Sequence, residues 1–290
     1  MKTGFAGLGV MGGPMARHLV TAGHQVAGYN RSPDKARAWA EATGGTFAAT
    51  VADAAAGAEL FILCVGNDDD VRQVVTEALP HLAPGAVIVD HTTTSAKVAR
   101  EMAELATGQG ACFIDAPVSG GQAGAENGQL SVMAGGEAEA LSRVEAALMS
   151  YSKAVKHMGP SGAGQLTKMV NQICIAGVVQ GLAEAVHFAE RAGLDTDAVY
   201  DAVSKGAAQS WQMDNRWKTM AKGEFEFGFA VDWMRKDLGL VLDEARANGS
   251  HLALTALVDQ FYSEVQALGG ARWDTSSLAA RLQDRSTDRP

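Results

Sequence analysis

Residues Gly7-Leu8-Gly9-Val10-Met11-Gly12 spell G-x-G-x-x-G between a strand-like apolar run, Thr3–Ala6, and a helix-like run carrying Met15, Leu19 and Val20. A strand that enters a helix through such a turn can hold a pyrophosphate with backbone alone. The first glycine permits the tight turn, the second lets the main chain approach the phosphates, and the third lets helix and strand pack closely. The helix N-terminus adds partial positive charge. Pro14 follows the third glycine, where a proline suits a first helical turn. With 33 glycines in the chain, the motif takes its weight from these flanking segments.

At 290 residues the chain is long enough for one large domain or two ordinary ones. Its net charge of −9, with Lys and Arg spread out, argues against a nucleic-acid surface. No apolar run approaches the length of a membrane span, so no membrane partner is expected. Arg17 and His18 interrupt the N-terminal apolar stretch, which therefore reads as structure and not as a signal peptide. Cys64, Cys112 and Cys174 are odd in number, far apart and flanked by apolar residues. They read as core thiols of a reducing compartment, with no disulfide framework and no metal site, and the protein as cytoplasmic.

The two halves differ in texture. In the first, short apolar runs at Gln25–Tyr29, Leu60–Val65, Ala86–Asp90 and Ala111–Ala116 alternate with amphipathic stretches at Lys35–Ala42, Val71–Leu82 and Ser95–Gln109. This alternation predicts an α/β fold, a Rossmann-type doubly wound parallel sheet with helices on both faces. Ligands of such sheets bind beyond the carboxyl ends of the strands. Gly9–Gly12, Asn30–Ser32, Gly66–Asn67, His91–Thr93 and Ala116–Gly121 should therefore share one edge. The second half is helical throughout. Gly162–Arg191 contains no proline and reads as one helix stopped by Gly193. At 1.5 Å per residue it makes a rod roughly 45 Å long. Further helices are expected at Thr196–Ser204, Ser210–Ala221, Val231–Asn248, Ala253–Leu268 and Ser276–Asp284, before a solvated tail, Arg285–Pro290. The domains are thus 1–161, binding the cofactor, and 162–290, an all-α domain for substrate and oligomerisation built on the long helix. That helix is apolar on so many sides that a homodimer or homotetramer is expected.

The end of the second strand should meet the adenosine ribose. Tyr29 is followed by Asn30-Arg31-Ser32, with Lys35 one turn on, and no acidic side chain stands there to accept from a free 2′-hydroxyl. Arg31 offers a planar charged fork suited to a phosphate and Ser32 a hydroxyl. NADP(H) is therefore favoured over NAD(H). Downstream, Asp115-Ala116-Pro117-Val118-Ser119-Gly120-Gly121 puts backbone N–H groups and a hydroxyl at a strand end, a cradle that suits a small carboxylate, although by itself the segment reads as a plain glycine turn. Lys168 and Asn171 share a helix face among Met169, Val170 and Ile173. Desolvation there would suit the lysine to proton transfer, although a snorkelling lysine explains the spacing equally well. His91, at a strand end, reads as lining the cofactor cleft. Lys236-Asp237 reads first as helix surface charge, and Trp211 and Trp233 as core or interface residues.

Four segments in order resemble the β-hydroxyacid dehydrogenase family, the group of 3-hydroxyisobutyrate dehydrogenase, tartronate semialdehyde reductase and the glyoxylate/succinic semialdehyde reductases. Gly7–Leu19 (GLGVMGGPMARHL) is similar to its cofactor signature, and Asp115–Gly136 (DAPVSGGQAGAENGQLSVMAGG) to its substrate segment. Gly162–Gln172 (GAGQLTKMVNQ) is similar to its catalytic helix, and Lys236-Asp237-Leu238 to its late cofactor-side segment. The resemblance implies Lys168 as catalytic acid/base with Asn171 as helper. It implies Ser119, Gly120, Gly121, Asn171 and Gln172 on the substrate. It also implies a cofactor held by Gly7–Gly12, Asn30–Ser32, Lys35, Val65–Asn67, Thr92 or Thr93, and Lys236. The departures are Gly66-Asn67 where a proline often follows the fourth strand, His91 where methionine or serine is common, and His18 in place of asparagine.

The implied activity is reversible hydride transfer between NADP(H) and a short 3-hydroxy acid or its semialdehyde. The helical domain, with Trp211, Gln212 and Trp233, is expected to complete and close the pocket. An imine reductase of the same architecture is the nearest alternative, but such enzymes usually lack the lysine. A 6-phosphogluconate dehydrogenase would be longer and carry a sugar-phosphate site. A non-catalytic NADP(H)-binding module would be expected to lack the lysine or the cradle.

Overall fold

Leu60–Leu63 and Val87–Asp90 are buried at every position, so these strands have no solvent face to present. Such runs belong in the middle of a sheet covered on both sides. The computed structural model describes residues 1–283, so the expected tail Arg285–Pro290 lies outside the described residues. The chain divides into two units, Met1–Lys168 and Met169–Pro290.

The first unit runs β1 (Lys2–Ala6), α1 (Gly12–Thr21), β2 (Gln25–Tyr29), α2 (Pro33–Thr43), β3 (Thr46–Phe47), α3 (Val51–Ala55), β4 (Leu60–Leu63), α4 (Asp68–Ala78) and β5 (Val87–Asp90). It continues with α5 (Ala96–Gly108), β6 (Cys112–Asp115), β7 (Val118–Ser119), α6 (Gly121–Glu126), β8 (Leu130–Gly135), α7 (Ala138–Leu148), β9 (Ser152–Gly159) and the start of α8 (Ala163–Arg191). The strands lie in the order β3-β2-β1-β4-β5-β6-β8-β7, with β9 paired to β8. From β3 to β6 every pairing is parallel, for instance Ala6 with both Tyr29 and Leu63, and Asp90 with Asp115. All the loops after these strands therefore leave from one edge. The order reverses between β1 and β4, which is where doubly wound sheets open a ligand crevice.

Alternation along the strands divides the core in two. Leu60, Ile62, Val87, Val89 and Ile114 face α1, α2 and α7 through Met15, Leu19, Trp39 and Val144. Phe61, Leu63, Ile88 and Phe113 face α3, α4 and α5 through Val51, Val71, Val98 and Met102. The sheet goes further than its sequence suggests. β8 runs antiparallel to β6 and β7, and β9 parallel to β8. β9 carries Lys153, Lys156 and His157. Such charges are how a strand at a sheet edge avoids further pairing, and they hide its apolar pattern.

The second unit holds most of α8 with α9 (Thr196–Val203), α10 (Trp211–Lys222), α11 (Val231–Asn248), α12 (Ala253–Ala267) and α13 (Leu278–Gln283). Ala176, Val179, Ala183 and Val186 make the buried stripe of α8, against Trp217, Met234, Leu238, Val258 and Tyr262. Asp195 and Ser210 cap α9 and α10 by accepting first-turn N–H groups. Contrary to the expectation that no apolar run reaches membrane length, α8 is long and apolar enough by length and composition alone to cross a membrane. Its buried Gln165, Lys168, Gln172 and Gln180, and its packed stripe, are those of a core helix. The cysteine reading also needs correction. None of the three thiols is in a disulfide; Cys64 and Cys112 pack half-buried against the first core, but Cys174 is exposed on α8 and is not a core residue.

His91 does not line a cleft. It is buried just beyond β5, with Nδ1 2.6 Å from the Ala116 carbonyl oxygen and Nε2 2.8 Å from the Tyr151 hydroxyl. The carbonyl can only accept, so Nδ1 donates, and in the neutral ring Nε2 then accepts from the Tyr151 hydroxyl. Burial brings the imidazole down to about 4 from its ordinary 6.5, against the raising effect of the Ala116 bond. Between those values the unfolded chain binds more protons, so stability falls as pH drops. From about pH 7 to about pH 5 this group alone should remove roughly 2 kcal/mol. Urea unfolding of wild type and His91→Gln at both pH values is expected to show their stability difference narrowing in acid. Parallel losses in the two proteins would contradict it.

Candidate active site

The three fingerprint glycines do three different things. Gly7 sits at φ 98°, and a Cβ there would lie 2.1 Å from the Cys64 carbonyl oxygen. A Cβ on Gly12 would lie 1.9 Å from the Gly7 carbonyl oxygen, so helix α1 packs on the β1 turn only without a side chain. Gly9 differs: it is exposed, and an added Cβ would meet nothing within 4 Å. Its openness serves no packing need of the protein. It leaves the backbone bare at the first turn of α1, where no side chain caps the N–H groups. Leu8, Val10 and Met11 complete the turn, with Leu8 buried and Val10 at the surface.

Asn30 ties this turn to the end of β2: its Oδ1 accepts from the Leu8 N–H at 3.0 Å and its Nδ2 donates to the Ser32 carbonyl. Arg31, 87% exposed in its side chain, lies 3.4 Å from Asp70 Oδ1. Ser32 and Lys35 are exposed beside it. Asp70 Oδ2 accepts from the Gly66 N–H at 3.1 Å, and Asn67 caps α4 by accepting from the Asp70 N–H. Gly66 thus uses an N–H that a proline would lack. One carboxylate joins the loops after β2 and β4, and sequence reasoning missed it because Asp68-Asp69-Asp70 looks like ordinary helix-start acid.

Val65 N–H donates to Thr92 Oγ at 3.0 Å, and Thr92 N–H to Asp90 Oδ1 at 2.8 Å. Thr92 is buried, so of the two threonines Thr93, half-buried, is the one nearer the surface of the edge. Ser119 pairs with Ser131 at the end of β7, and Gly120 and Gly121 follow at φ 135° and 62°, both exposed. The cradle is a strand end turned outward by two glycines. Asp115, fully buried at the end of β6, accepts from Gly162 N–H at 2.7 Å and Gln165 N–H at 2.9 Å. Burial pushes its carboxyl up, while these N–H donors draw it down. Lys168 follows on the same helix and is 9% exposed.

The second unit gathers the remaining residues into a chain. Asn171 Nδ2 donates to Gln172 Oε1 at 2.8 Å, and Gln172 Nε2 to Asp237 Oδ2 at 2.7 Å. Lys236 Nζ lies 3.1 Å from Asp237 Oδ1 and 6.0 Å from the centre of the Trp233 ring. Asp237 is 2% exposed, so the surface-charge reading of Lys236-Asp237 fails for the aspartate. Trp211 and Trp233 are exposed, at 58% and 42%, and neither is a core residue.

The residues of the first unit fit a dinucleotide. A bare glycine opens onto free space, a helix start has uncapped donors, and the β2 end offers an exposed guanidinium with no carboxylate of its own. Gly9→Ala is therefore expected to keep wild-type stability while weakening coenzyme binding about tenfold or more, ~1.4 kcal/mol. Gly12→Ala, forced against backbone, should lose on the order of 2 kcal/mol of stability. Urea unfolding beside fluorescence titration with NADPH and NADH checks both, and equal destabilisation of the two variants would contradict this division of roles.

Comparison with known proteins places the chain in a family. Residues 2–159 match the NAD binding domain of 6-phosphogluconate dehydrogenase, and residues 162–282 the NAD-binding domain of NADP-dependent 3-hydroxyisobutyrate dehydrogenase. An uncharacterized oxidoreductase of Shewanella frigidimarina is 61% identical over 285 residues, covering 97% of this chain and 98% of that protein. The 3-hydroxyisobutyrate dehydrogenase of Mycobacterium tuberculosis, solved with L-serine, is similar at TM-score 0.89 and 32% identity over 97% of this chain and 98% of its own. Psf3, solved in complex with NADP+ and 2-OPP, is similar at TM-score 0.87 and 25% identity over 97% and 99%. The chain belongs to the 3-hydroxyisobutyrate dehydrogenase-like family of NAD(P)-binding oxidoreductases.

Proposed function

We propose that this enzyme interconverts a short 3-hydroxy acid and its semialdehyde with NADP(H), and that Lys168 handles the proton at the substrate oxygen. The observation that carries this is the lysine itself: an amine-bearing side chain, 9% exposed, on a helix whose start is bonded to the carboxyl ends of β5 and β6. Coenzyme turns and proton-handling group thereby belong to one sheet edge. The Mycobacterium tuberculosis neighbour was solved with L-serine, itself a 3-hydroxy acid, which supports the substrate class.

The nicotinamide coenzyme, when bound, supplies or removes the hydride. Ser119 Oγ and the N–H groups of Gly120 and Gly121 would hold the substrate carboxylate and so fix where its hydroxyl-bearing carbon lies. Lys168 Nζ takes the hydroxyl proton in oxidation and returns it to the carbonyl oxygen in reduction. Asn171, three residues along the same helix, serves as its helper. On the coenzyme side, the exposed Arg31 and the missing acid at the β2 end support a 2′-phosphate, as does the NADP+ held by Psf3.

We further infer a homodimer or homotetramer, supported by an apolar groove of about 940 Å³ in the helical unit lined by Phe188, Leu194 and Val203. The three thiols, none of them in a disulfide, support work in the cytoplasm.

Lys168→Ala is expected to lower kcat about a hundredfold or more, the scale of lost acid–base catalysis, with coenzyme affinity kept. Steady-state turnover with coenzyme titration checks it, and near-wild-type kcat would remove Lys168 from the reaction. Arg31→Ala should raise KM for NADPH roughly tenfold, the loss of a charge-assisted contact, and leave NADH unaffected. An unchanged ratio of the two coenzymes would contradict the phosphate assignment.

A further inference from the structure

We propose that Gln165 is a positioning residue for Lys168, holding the start of α8 to the segment after β5; this rests on Lys168 being the acid/base. Gln165 is fully buried, and its side chain makes two hydrogen bonds of opposite sense. Nε2 donates to the Thr92 carbonyl oxygen at 2.8 Å, and Oε1 accepts from the Thr94 N–H at 3.0 Å. A carbonyl and an N–H two residues apart are what a neighbouring strand would engage. β5 has ended at Asp90, so the amide serves Thr92–Thr94 in place of a strand.

The same residue is anchored a third time through its backbone N–H, which donates to Asp115 Oδ2 at 2.9 Å. Residue 165 is therefore bonded to the ends of β5 and β6 at once. Lys168 lies three residues on, about 4.5 Å along a continuous helix, so a shift at 165 is carried to it with little loss. Thr92 is also the acceptor of the Val65 N–H, which brings the loop after β4 into the same network. The amide thus sets the spacing between the proton-handling lysine and the strand ends assigned to the coenzyme. A misplacement of about 1 Å in such a geometry can cost a hundredfold in rate.

The chemistry of the two bonds supplies a specific test. Leucine would leave both backbone groups buried without partners. An ionised glutamate would accept from Thr94 but face the Thr92 carbonyl with a second acceptor. A protonated glutamate, with one O–H donor and one acceptor oxygen, reproduces both bonds of the amide. The ionisable groups around this network are Asp90 at the end of β5, His91 just after it, Asp115 on β6, Arg100 on α5, near Gly162, and Lys168 on α8 itself. All are shared by wild type and the two Gln165 variants, so the ratio of either to wild type isolates residue 165.

Wild type, Gln165→Leu, Gln165→Glu and Lys168→Ala are compared by kcat from about pH 5 to about pH 9, coenzyme Kd and thermal unfolding. Gln165→Leu is expected to lose about tenfold or more in kcat at every pH, with a coenzyme Kd near wild type. For Gln165→Glu the kcat ratio to wild type should be low in alkali and climb toward one in acid. A residue that served stability alone would shift the unfolding temperature without that slope. A flat Gln165→Glu ratio, or wild-type kcat in Gln165→Leu, overturns the proposal while an inactive Lys168→Ala leaves the acid/base reading standing. An active Lys168→Ala removes that reading, and the positioning role with it. Should the leucine variant fail to fold, the slope of the glutamate variant decides alone.

Discussion

A buried carboxylate at the start of a 29-residue helix organises this molecule. Asp115 is fully buried, a state that disfavours its charge, and what offsets the cost is a set of N–H groups that would otherwise be orphans. A helix N-terminus is also the favourable end for a negative charge. The close approach this demands explains the glycines around it. A Cβ on Gly164 would lie 2.5 Å from the Asp115 carbonyl oxygen, and one on Gly135 would lie 2.6 Å from Asp115 Oδ1. Gly162-Ala163-Gly164 is thus a packing device that lets a helix begin against a sheet edge, whereas Gly9 near the N-terminus leaves its space open.

From that anchor the edge of the sheet acquires its order. Asn30 couples the first turn to the second strand end, Asp70 couples the second to the fourth, and Thr92 couples the fourth to the fifth. Gln165 and Asp115 then join the fifth and sixth to the helix bearing Lys168. Each link runs between a side chain and a backbone group, except the exposed Arg31–Asp70 pair. Exposed pairs contribute about 1 kcal/mol at most, so Arg31 can exchange its partner for a ligand at little cost. The buried links cannot, because breaking one strands a polar group in the interior.

Much of this was legible in the sequence, and the exceptions have physical reasons. Strands β4, β5 and β6 were read because apolar residues fill nearly every position, as burial on both faces requires, and β1 and β2 from shorter apolar runs. β8 and β9 were not, since Ser131 and the lysines of β9 interrupt the run where the sheet meets solvent. The helices of the second unit announced themselves by spacing, and the end of the long one by Gly193. Roles that depend on tertiary partners stayed hidden. Asp237 reads as surface until Gln172 is seen bonded to it, and His91 reads as cleft until Tyr151 and Ala116 enclose it. Nor does spacing distinguish Cys174, exposed, from the buried Ala176 two positions on.

The central claim is that this edge and this helix together turn over a few-carbon hydroxy acid. The most direct measurement follows nicotinamide absorbance with NADP+ and NAD+ in turn across a panel of short 3-hydroxy acids, with the semialdehydes run in reverse. Turnover of at least one short 3-hydroxy acid, faster with NADP+, is the expected result. Tight coenzyme binding with no turnover of any such acid or semialdehyde would contradict it.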